Sequence, residues 1–125
     1  MKTILIVDDE AKIRNLYGRL LEKEGFNVVL AKNAEVAHEK LLTQPIDLAL
    51  LDINLTDIID GEVLYDVIEA FFKKTAVIVA SVYPVAEQKK RVKGATGYYD
   101  KAEGIQGLIS QVKAVLKSVP DHAAA

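Results

Sequence analysis

The chain has 125 residues, a formal net charge of −2 and no cysteine. This length suits one compact domain with a core of its own, and the lack of thiols excludes disulfide frameworks, cysteine-ligated zinc sites and cysteine nucleophiles. The nearly balanced charge provides no general attraction to nucleic acid, so we expect no DNA binding from this chain.

The first apolar run, MKTILIV, is followed by three acids at 8–10 before it is long enough for a secretory signal. No apolar run approaches the roughly 20 residues that span a bilayer. We therefore interpret the opening as a buried strand and expect a cytoplasmic protein without membrane contact.

Apolar runs of strand length recur along the chain, separated by segments of helical period and by Gly, Asn or Pro. Three of these runs are almost continuously apolar, which is typical of strands covered on both faces in a parallel sheet. In chain order, we predict strands at 3–8, 27–31, 47–52, 76–81 and 97–100.

Apolar side chains three and four residues apart mark the helical segments. From Ile13 to Leu21 they form the stripe of an amphipathic helix that ends at Gly25. The same spacing from Ile105 to Leu116 predicts the last helix. The remaining helices are predicted at 34–43, 62–72 and 86–93.

Strands and helices that alternate in this way predict an α/β fold with right-handed crossovers. We expect a doubly wound five-stranded parallel sheet in the order 2-1-3-4-5, with helices on both faces. In such sheets a ligand binds outside the C-terminal ends of the strands, where the strand order reverses. We predict one domain at 1–118 and a flexible C-terminal tail at 119–125.

Carboxylates lie at the ends of the two strands that flank this reversal. Asp8 ends the first predicted strand and Asp9 follows it, and Asp52 ends the third. Their charges would repel one another in a cleft, and Mg²⁺, which prefers hard oxygen ligands, would relieve that repulsion. Asp52 is then free to act as a nucleophile toward phosphorus. Asp8 and Asp9 alone would fit an acidic turn before a helix, but together with Asp52 they favour a metal site.

Two further strand ends carry groups that suit phosphoryl transfer. The hydroxyl of Ser81 can donate to a phosphoryl oxygen, and the ammonium of Lys101 can neutralise its charge. Each residue alone is more often a turn serine or a solvated lysine. Four strand ends that all carry such groups favour phosphoryl chemistry.

This ordered set, with GATGYYDK before the last helix, resembles the receiver domain of bacterial response regulators, the CheY-like family. The resemblance covers about residues 2 to 118 and implies a flavodoxin-like (CheY-like) fold with Mg²⁺ as cofactor. It implies that Asp52 is the phosphoacceptor, assisted by Ser81 and Lys101, and that Ser81 and Tyr98 form the switch. The metal ligands that it implies are Asp8, Asp9, Asp52 and the backbone carbonyl of Asn54.

The function implied by the resemblance is a phosphorylation-dependent signalling switch of a two-component system. A sensor histidine kinase, a phosphotransfer protein or a small phosphodonor would supply the phosphoryl group. The surface of helix 4, strand 5 and helix 5 would change for an unknown downstream protein, and a homodimer could form through it. Such a chain catalyses only its own phosphorylation and dephosphorylation, so we do not class it as an enzyme.

The sequence departs from the family pattern near Asp52. Thr56 stands where the family usually has Pro, and one extra residue precedes Asp60-Gly61. Val82 replaces a smaller residue, and its branched side chain would crowd a phosphoryl group. These departures leave open a degenerate receiver that acts only as a binding module.

A third interpretation is enzymatic. DINLT at 52–56 differs by one side chain from the Asp-x-Asp-x-Thr signature of haloacid dehalogenase-like phosphatases, which also use an aspartyl phosphate and Mg²⁺. However, Asn54 replaces the second acid, and the motif follows the third predicted strand instead of the first. We therefore favour the receiver.

Overall fold

The computed structural model describes residues 1–55 and 60–118. Five parallel strands form one sheet in the order β2-β1-β3-β4-β5, so the predicted fold class and strand order are confirmed. The strands are β1 (Thr3–Val7), β2 (Asn27–Ala31), β3 (Leu48–Asp52), β4 (Ala76–Ser81) and β5 (Gly97–Asp100). The helices are α1 (Ala11–Lys23), α2 (Ala34–Thr43), α3 (Gly61–Phe71), α4 (Val85–Arg91) and α5 (Ile105–Lys117).

The sheet has an apolar layer on each face. On one face, β-strand side chains pack with α2 and α3; on the other, they pack with α1 and α5. Every residue of β3 is buried, as the unbroken apolar run predicted. The helices therefore cover both faces and leave the C-terminal strand ends as the edge where polar groups can meet.

The predicted element bounds hold to within one or two residues: β1 was predicted at 3–8 but ends at Val7, and α3 was predicted at 62–72 but lies at Gly61–Phe71. β3 begins at Leu48, one residue later than predicted, and the carboxylate of Asp47 just before it accepts a hydrogen bond from the backbone N–H of Thr3 at 2.7 Å. α4 was predicted at 86–93 but ends at Arg91. Val92 is extended and buried, with φ −130° and ψ 107°, and Gly94 adopts φ +85°. A left-handed glycine of this kind cannot continue a helix.

Two predictions fall on residues that the structure does not describe. The tail predicted at 119–125 lies outside the described residues, as do Thr56 and the extra residue before Asp60. Within the described part of the chain, none of the helices is long and apolar enough to cross a membrane.

The same glycine substitution should have opposite effects at two positions. Gly94→Ala should lower the free energy of unfolding by about 1–2 kcal/mol, because a side chain strains its left-handed backbone. Gly107 lies in the exposed first turn of α5 with no atom within 4 Å of an added Cβ. Gly107→Ala should therefore stabilise by roughly 0.5–1 kcal/mol. Urea denaturation of both variants tests this, and equal shifts of the same sign would contradict it.

Candidate functional site

The parallel register brings the ends of four strands to one edge of the sheet. Val7 pairs with Leu51, so the acids that follow β1 lie beside the end of β3. Across the other neighbours, Asp52 pairs with Ala80 and Ser81 pairs with Asp100. Residues far apart in the sequence therefore meet at this edge, where the sequence predicted the site.

The ammonium of Lys101 lies between two buried carboxylates. Its Nζ is 2.6 Å from Oδ2 of Asp8 and 3.1 Å from Oδ2 of Asp52. The Lys101 side chain is 11% exposed, and those of Asp8 and Asp52 are 3% and 7% exposed. Because water is largely excluded, these charge-assisted hydrogen bonds are stronger than surface ion pairs.

The pKa values reflect this crowded, buried environment. Burial raises the pKa of Asp52, although the hydrogen bond from the Asn54 backbone and the nearby Lys101 charge oppose the shift. Burial lowers the pKa of Lys101, but the hydrogen bond to Asp8 and the charge of Asp52 outweigh it and leave that pKa raised. Lys101 is therefore an ammonium at neutral pH, with more negative than positive charge around it.

The three predicted acids form one cluster of hard oxygen ligands. One carboxylate oxygen from each of Asp8, Asp9 and Asp52 lies within 4.8 Å of the others. Asp8 is held in place because its Oδ1 accepts from the Glu10 backbone at 2.9 Å. Asp9 is exposed and opens the cluster to solvent. This donor set fits Mg²⁺, which takes a few carboxylates and keeps several waters.

Ser81 is fully buried at the end of β4, next to this cluster. Its Oγ accepts hydrogen bonds from Nδ2 of Asn54 and from the backbone N–H of Tyr83, both at 3.1 Å. The backbone N–H of Asn54 also donates to Oδ1 of Asp52 at 2.9 Å. Asn54 therefore links the predicted phosphoacceptor to the predicted switch serine through its amide groups. The family resemblance implied a metal-ligating backbone carbonyl for Asn54 but not this side-chain contact, because the orientation of a loop amide cannot be read from spacing.

The two adjacent tyrosines of β5 have different surroundings. Tyr98 is half-buried, and its hydroxyl donates to the carbonyl of Val92 at 2.6 Å and accepts from the N–H of Ala95 at 3.2 Å. Nζ of Lys89 lies 5.7 Å from the centre of the Tyr98 ring. Tyr98 is thus tied to α4 and the segment after it, whereas Tyr99 is buried and donates to the carbonyl of Glu103 at 2.8 Å.

The structure places Val82, a departure from the family pattern, and Asp60, which follows the altered loop. Val82 is 69% exposed, so most of its side chain faces solvent. Asp60 acts as the N-cap of α3, since its Oδ1 accepts from the N–H of Val63 at 3.0 Å.

Sequence reasoning did not single out two residues near the site. At Gly61 an added Cβ would overlap the carbonyl oxygen of Asp52 and the Cα of Ile53. Gln88 is the one buried residue of α4, although that helix also contains the apolar residues Val85 and Ala86. The Asp-Gly pair at 60–61 was the sequence signal that could have identified Gly61. No signal in the sequence indicates the burial of Gln88.

Comparison with known proteins decides the family. The model of the response regulator receiver domain matches residues 4–113, which is most of the chain. The chain belongs to this receiver-domain family.

The receiver domain has a longer relative in the heme response regulator HssR of Staphylococcus saprophyticus. The two are 28% identical over 117 residues, which cover 94% of this chain and 52% of HssR. This receiver domain thus spans about half the length of that relative.

Solved receiver structures share the fold. The response regulator TrrA of Thermotoga maritima, in complex with Mg²⁺-BeF, superposes with a TM-score of 0.83 at 31% identity, over 92% of this chain and 99% of TrrA. A CheY-like receiver domain protein of Methanospirillum hungatei gives a TM-score of 0.86 at 28% identity, over 94% of each chain.

Gly61→Ala should disturb the backbone beside Asp52. The added Cβ has no room, so the β3 end or the start of α3 must shift, at a cost of about 1–3 kcal/mol in the free energy of unfolding. We expect the amide resonances of Asn54 and Val63 to move, as measured by NMR, together with a lower urea midpoint. Gly107→Ala is the control, since it introduces the same methyl group into open space. Unchanged resonances around Asp52 would contradict the close approach.

Proposed function

We propose that this receiver domain is a phosphorylation-dependent switch of a two-component system that accepts a phosphoryl group on Asp52. The observation that carries the proposal is the position of the Lys101 ammonium, which contacts both Asp8 and Asp52 at the C-terminal strand edge. A buried carboxylate beside a fixed cation, a hydroxyl and further acids suits nucleophilic attack on phosphorus.

The acids of the site are the ligands that would hold Mg²⁺. Asp8, Asp9 and Asp52 offer carboxylate oxygens in one cluster, and the backbone carbonyl of Asn54 is proposed as a further ligand. When bound, Mg²⁺ neutralises negative charge on the carboxylates and on the phosphoryl oxygens.

Asp52 is positioned as the nucleophile by its two hydrogen-bond donors. Its Oδ1 accepts from the Asn54 backbone and its Oδ2 from Lys101. In the transfer, a carboxylate oxygen forms a bond to phosphorus. The bond from phosphorus to the imidazole nitrogen or acyl oxygen of the donor breaks, and the leaving group keeps the electron pair. Of the three N–H donors of the Lys101 ammonium, one can keep its pairing with Asp8 while the other two bind phosphoryl oxygens.

Ser81 and Tyr98 are proposed to pass the change to the surface. The Ser81 hydroxyl accepts two hydrogen bonds, and its own hydrogen can donate to a phosphoryl oxygen. Its movement would displace Tyr83, which donates to it. Tyr98 contacts the end of α4 and would follow. The added charge thereby biases a two-state surface on α4, β5 and α5.

The partners follow from this chemistry. The phosphoryl group is supplied by a sensor histidine kinase, a phosphotransfer protein or a small phosphodonor. A downstream protein binds the surface of α4, β5 and α5. We also propose that a homodimer can form through this surface. These phosphoryl donors are cytoplasmic, which is the location we propose. The chain acts only on its own aspartate, so we do not class it as an enzyme.

Neither rival function gains support. Asn54 stands where a haloacid dehalogenase-like phosphatase needs an acid, and its amide donates to Ser81. A degenerate binding module would not require a lysine between buried acids, since buried charges without a function cost stability.

Intact-mass measurement after incubation with acetyl phosphate and Mg²⁺ tests the phosphoacceptor. We expect one phosphoryl adduct on the wild-type chain and none on Asp52→Asn, because the amide is not a nucleophile toward phosphorus. Asp60→Asn is a matched control, since asparagine also caps helices, and it should retain the adduct. An adduct that persists in Asp52→Asn would refute the assignment.

Thermal unfolding with and without Mg²⁺ tests the metal site. A ligand that binds only the folded state at 100 times its Kd adds about 2.7 kcal/mol to the free energy of unfolding. Asp9 is exposed, so Asp9→Asn should change the metal-free Tm little but should lose most of the increase with Mg²⁺. Glu35→Gln, an exposed acid on α2, should keep the wild-type increase. A full Mg²⁺ response in Asp9→Asn would remove Asp9 from the ligand set.

A further inference from the structure

Gln88 is a fully buried amide in a helix whose other side chains are exposed or half-buried. Its Nε2 donates to the carbonyl of Tyr83 at 2.8 Å and to the carbonyl of Tyr99 at 2.9 Å. Both hydrogens of the amide are therefore used. One side chain of α4 thus joins the segment after β4 to the strand β5.

The two carbonyls belong to the segments that supply Ser81 and Lys101. The N–H of Tyr83 donates to Oγ of Ser81, and Tyr99 lies two residues before Lys101 in the chain. The backbone N–H of Lys101 donates to the carbonyl of Ser81 at 2.9 Å. These hydrogen bonds form a closed circuit through α4, with Gln88 as its only side-chain donor.

The amide oxygen of Gln88 indicates why position 88 carries a glutamine. Within residues 1–55 and 60–118, Oε1 of Gln88 is the one buried side-chain polar atom without a hydrogen-bond partner. An unpaired buried oxygen is unfavourable, and an apolar side chain of similar length would avoid it. Turning the amide around would bring Oε1 against two carbonyl oxygens. Position 88 therefore favours a side chain with two N–H donors, although the oxygen of the same amide remains unpaired.

We propose that Gln88 is a positioning residue that couples phosphorylation of Asp52 to movement of α4. By holding Tyr83 and Tyr99 together, it keeps Ser81 and Lys101 at a fixed separation for transfer. When Ser81 moves toward the phosphoryl group, Tyr83 moves with it and pulls on the Gln88 amide. The inference rests on the proposed function and adds to it the contact through which the site reaches α4.

Gln88→Met tests the inference, with Gln111→Met as its matched control. Methionine keeps the length of the side chain but has no donor. Gln111 also donates its Nε2 to a β5 carbonyl, that of Tyr98 at 3.2 Å, but this hydrogen bond comes from α5 and is not part of the Gln88 circuit. At saturating Mg²⁺, phosphorylation of Gln88→Met by acetyl phosphate should be about tenfold slower, because Ser81 and Lys101 lose their fixed separation. Gln111→Met should stay close to wild type.

Two measurements distinguish a positioning role of Gln88 from a general contribution to stability. The Kd for Mg²⁺ should stay within about twofold of wild type in Gln88→Met, since the three acids follow β1 or end β3 and none of them belongs to the Gln88 circuit. Beryllofluoride, a mimic of the phosphoryl group, should shift the α4 amide resonances in wild type and in Gln111→Met but not in Gln88→Met. A wild-type rate with wild-type α4 shifts in Gln88→Met would overturn the inference.

The wild-type chain provides a test that does not depend on the folding of a variant. With Mg²⁺ and beryllofluoride, the side-chain amide resonance of Gln88 should shift while that of Gln111 stays. If the Asp52 and Ser81 resonances shift but the Gln88 side-chain resonance does not, this inference is wrong while the proposed function stands. A wild-type chain that takes neither phosphoryl group nor beryllofluoride overturns the proposed function, and the inference falls with it.

Discussion

The ion pairs of Lys101 with Asp8 and Asp52 are the interaction on which the site depends. They join residues 93 and 49 positions apart, and they form only if β5, β4, β3 and β1 lie in their observed order. A buried ammonium without partners would be strongly destabilising, as would the carboxylates without it. The two apolar layers fix the strands, and the strands fix the charges. The site is therefore a consequence of the sheet order and not of any local motif.

The site at this edge of the sheet has three carboxylates but only one ammonium group among the residues described above. Asp8, Asp9 and Asp52 form one carboxylate cluster, of which Asp8 and Asp52 contact the single ammonium of Lys101. Burial raises the pKa of Asp52 because its charged form is poorly solvated. A second cation relieves this imbalance, and a phosphoryl group, with a charge of about −2, increases the demand for one. Folding thus tolerates repulsion that an apolar edge would avoid. This is the usual compromise at a site built for chemistry.

The sequence predicted what depends on strand burial and strand ends. The strands were recognisable because a strand covered on both faces must be apolar throughout, and Asp52, Ser81 and Lys101 stood out because they end or follow such runs. The Asn54 contact to Ser81 and the burial of Gln88 depend on loop paths and side-chain orientation. Such features leave no periodic pattern. The predicted end of α4 was too late for a similar reason. Val92 is buried but extended, and Gly94 has a left-handed backbone, so the apolar residue after Arg91 does not continue the helix.

α4 differs from the other helices in what holds it to the sheet. It has seven residues, and its one buried side chain is an amide instead of an apolar stripe. Its cations lie outside, with Arg91 over the ring of Tyr83 at 4.2 Å and Lys89 near Tyr98. Few buried apolar contacts give a helix low local stability, so a small free-energy change can displace it. Tyr83 donates to Ser81 and Tyr98 donates to the carbonyl of Val92 at the end of α4, so the weakly held helix is also connected to the charged edge.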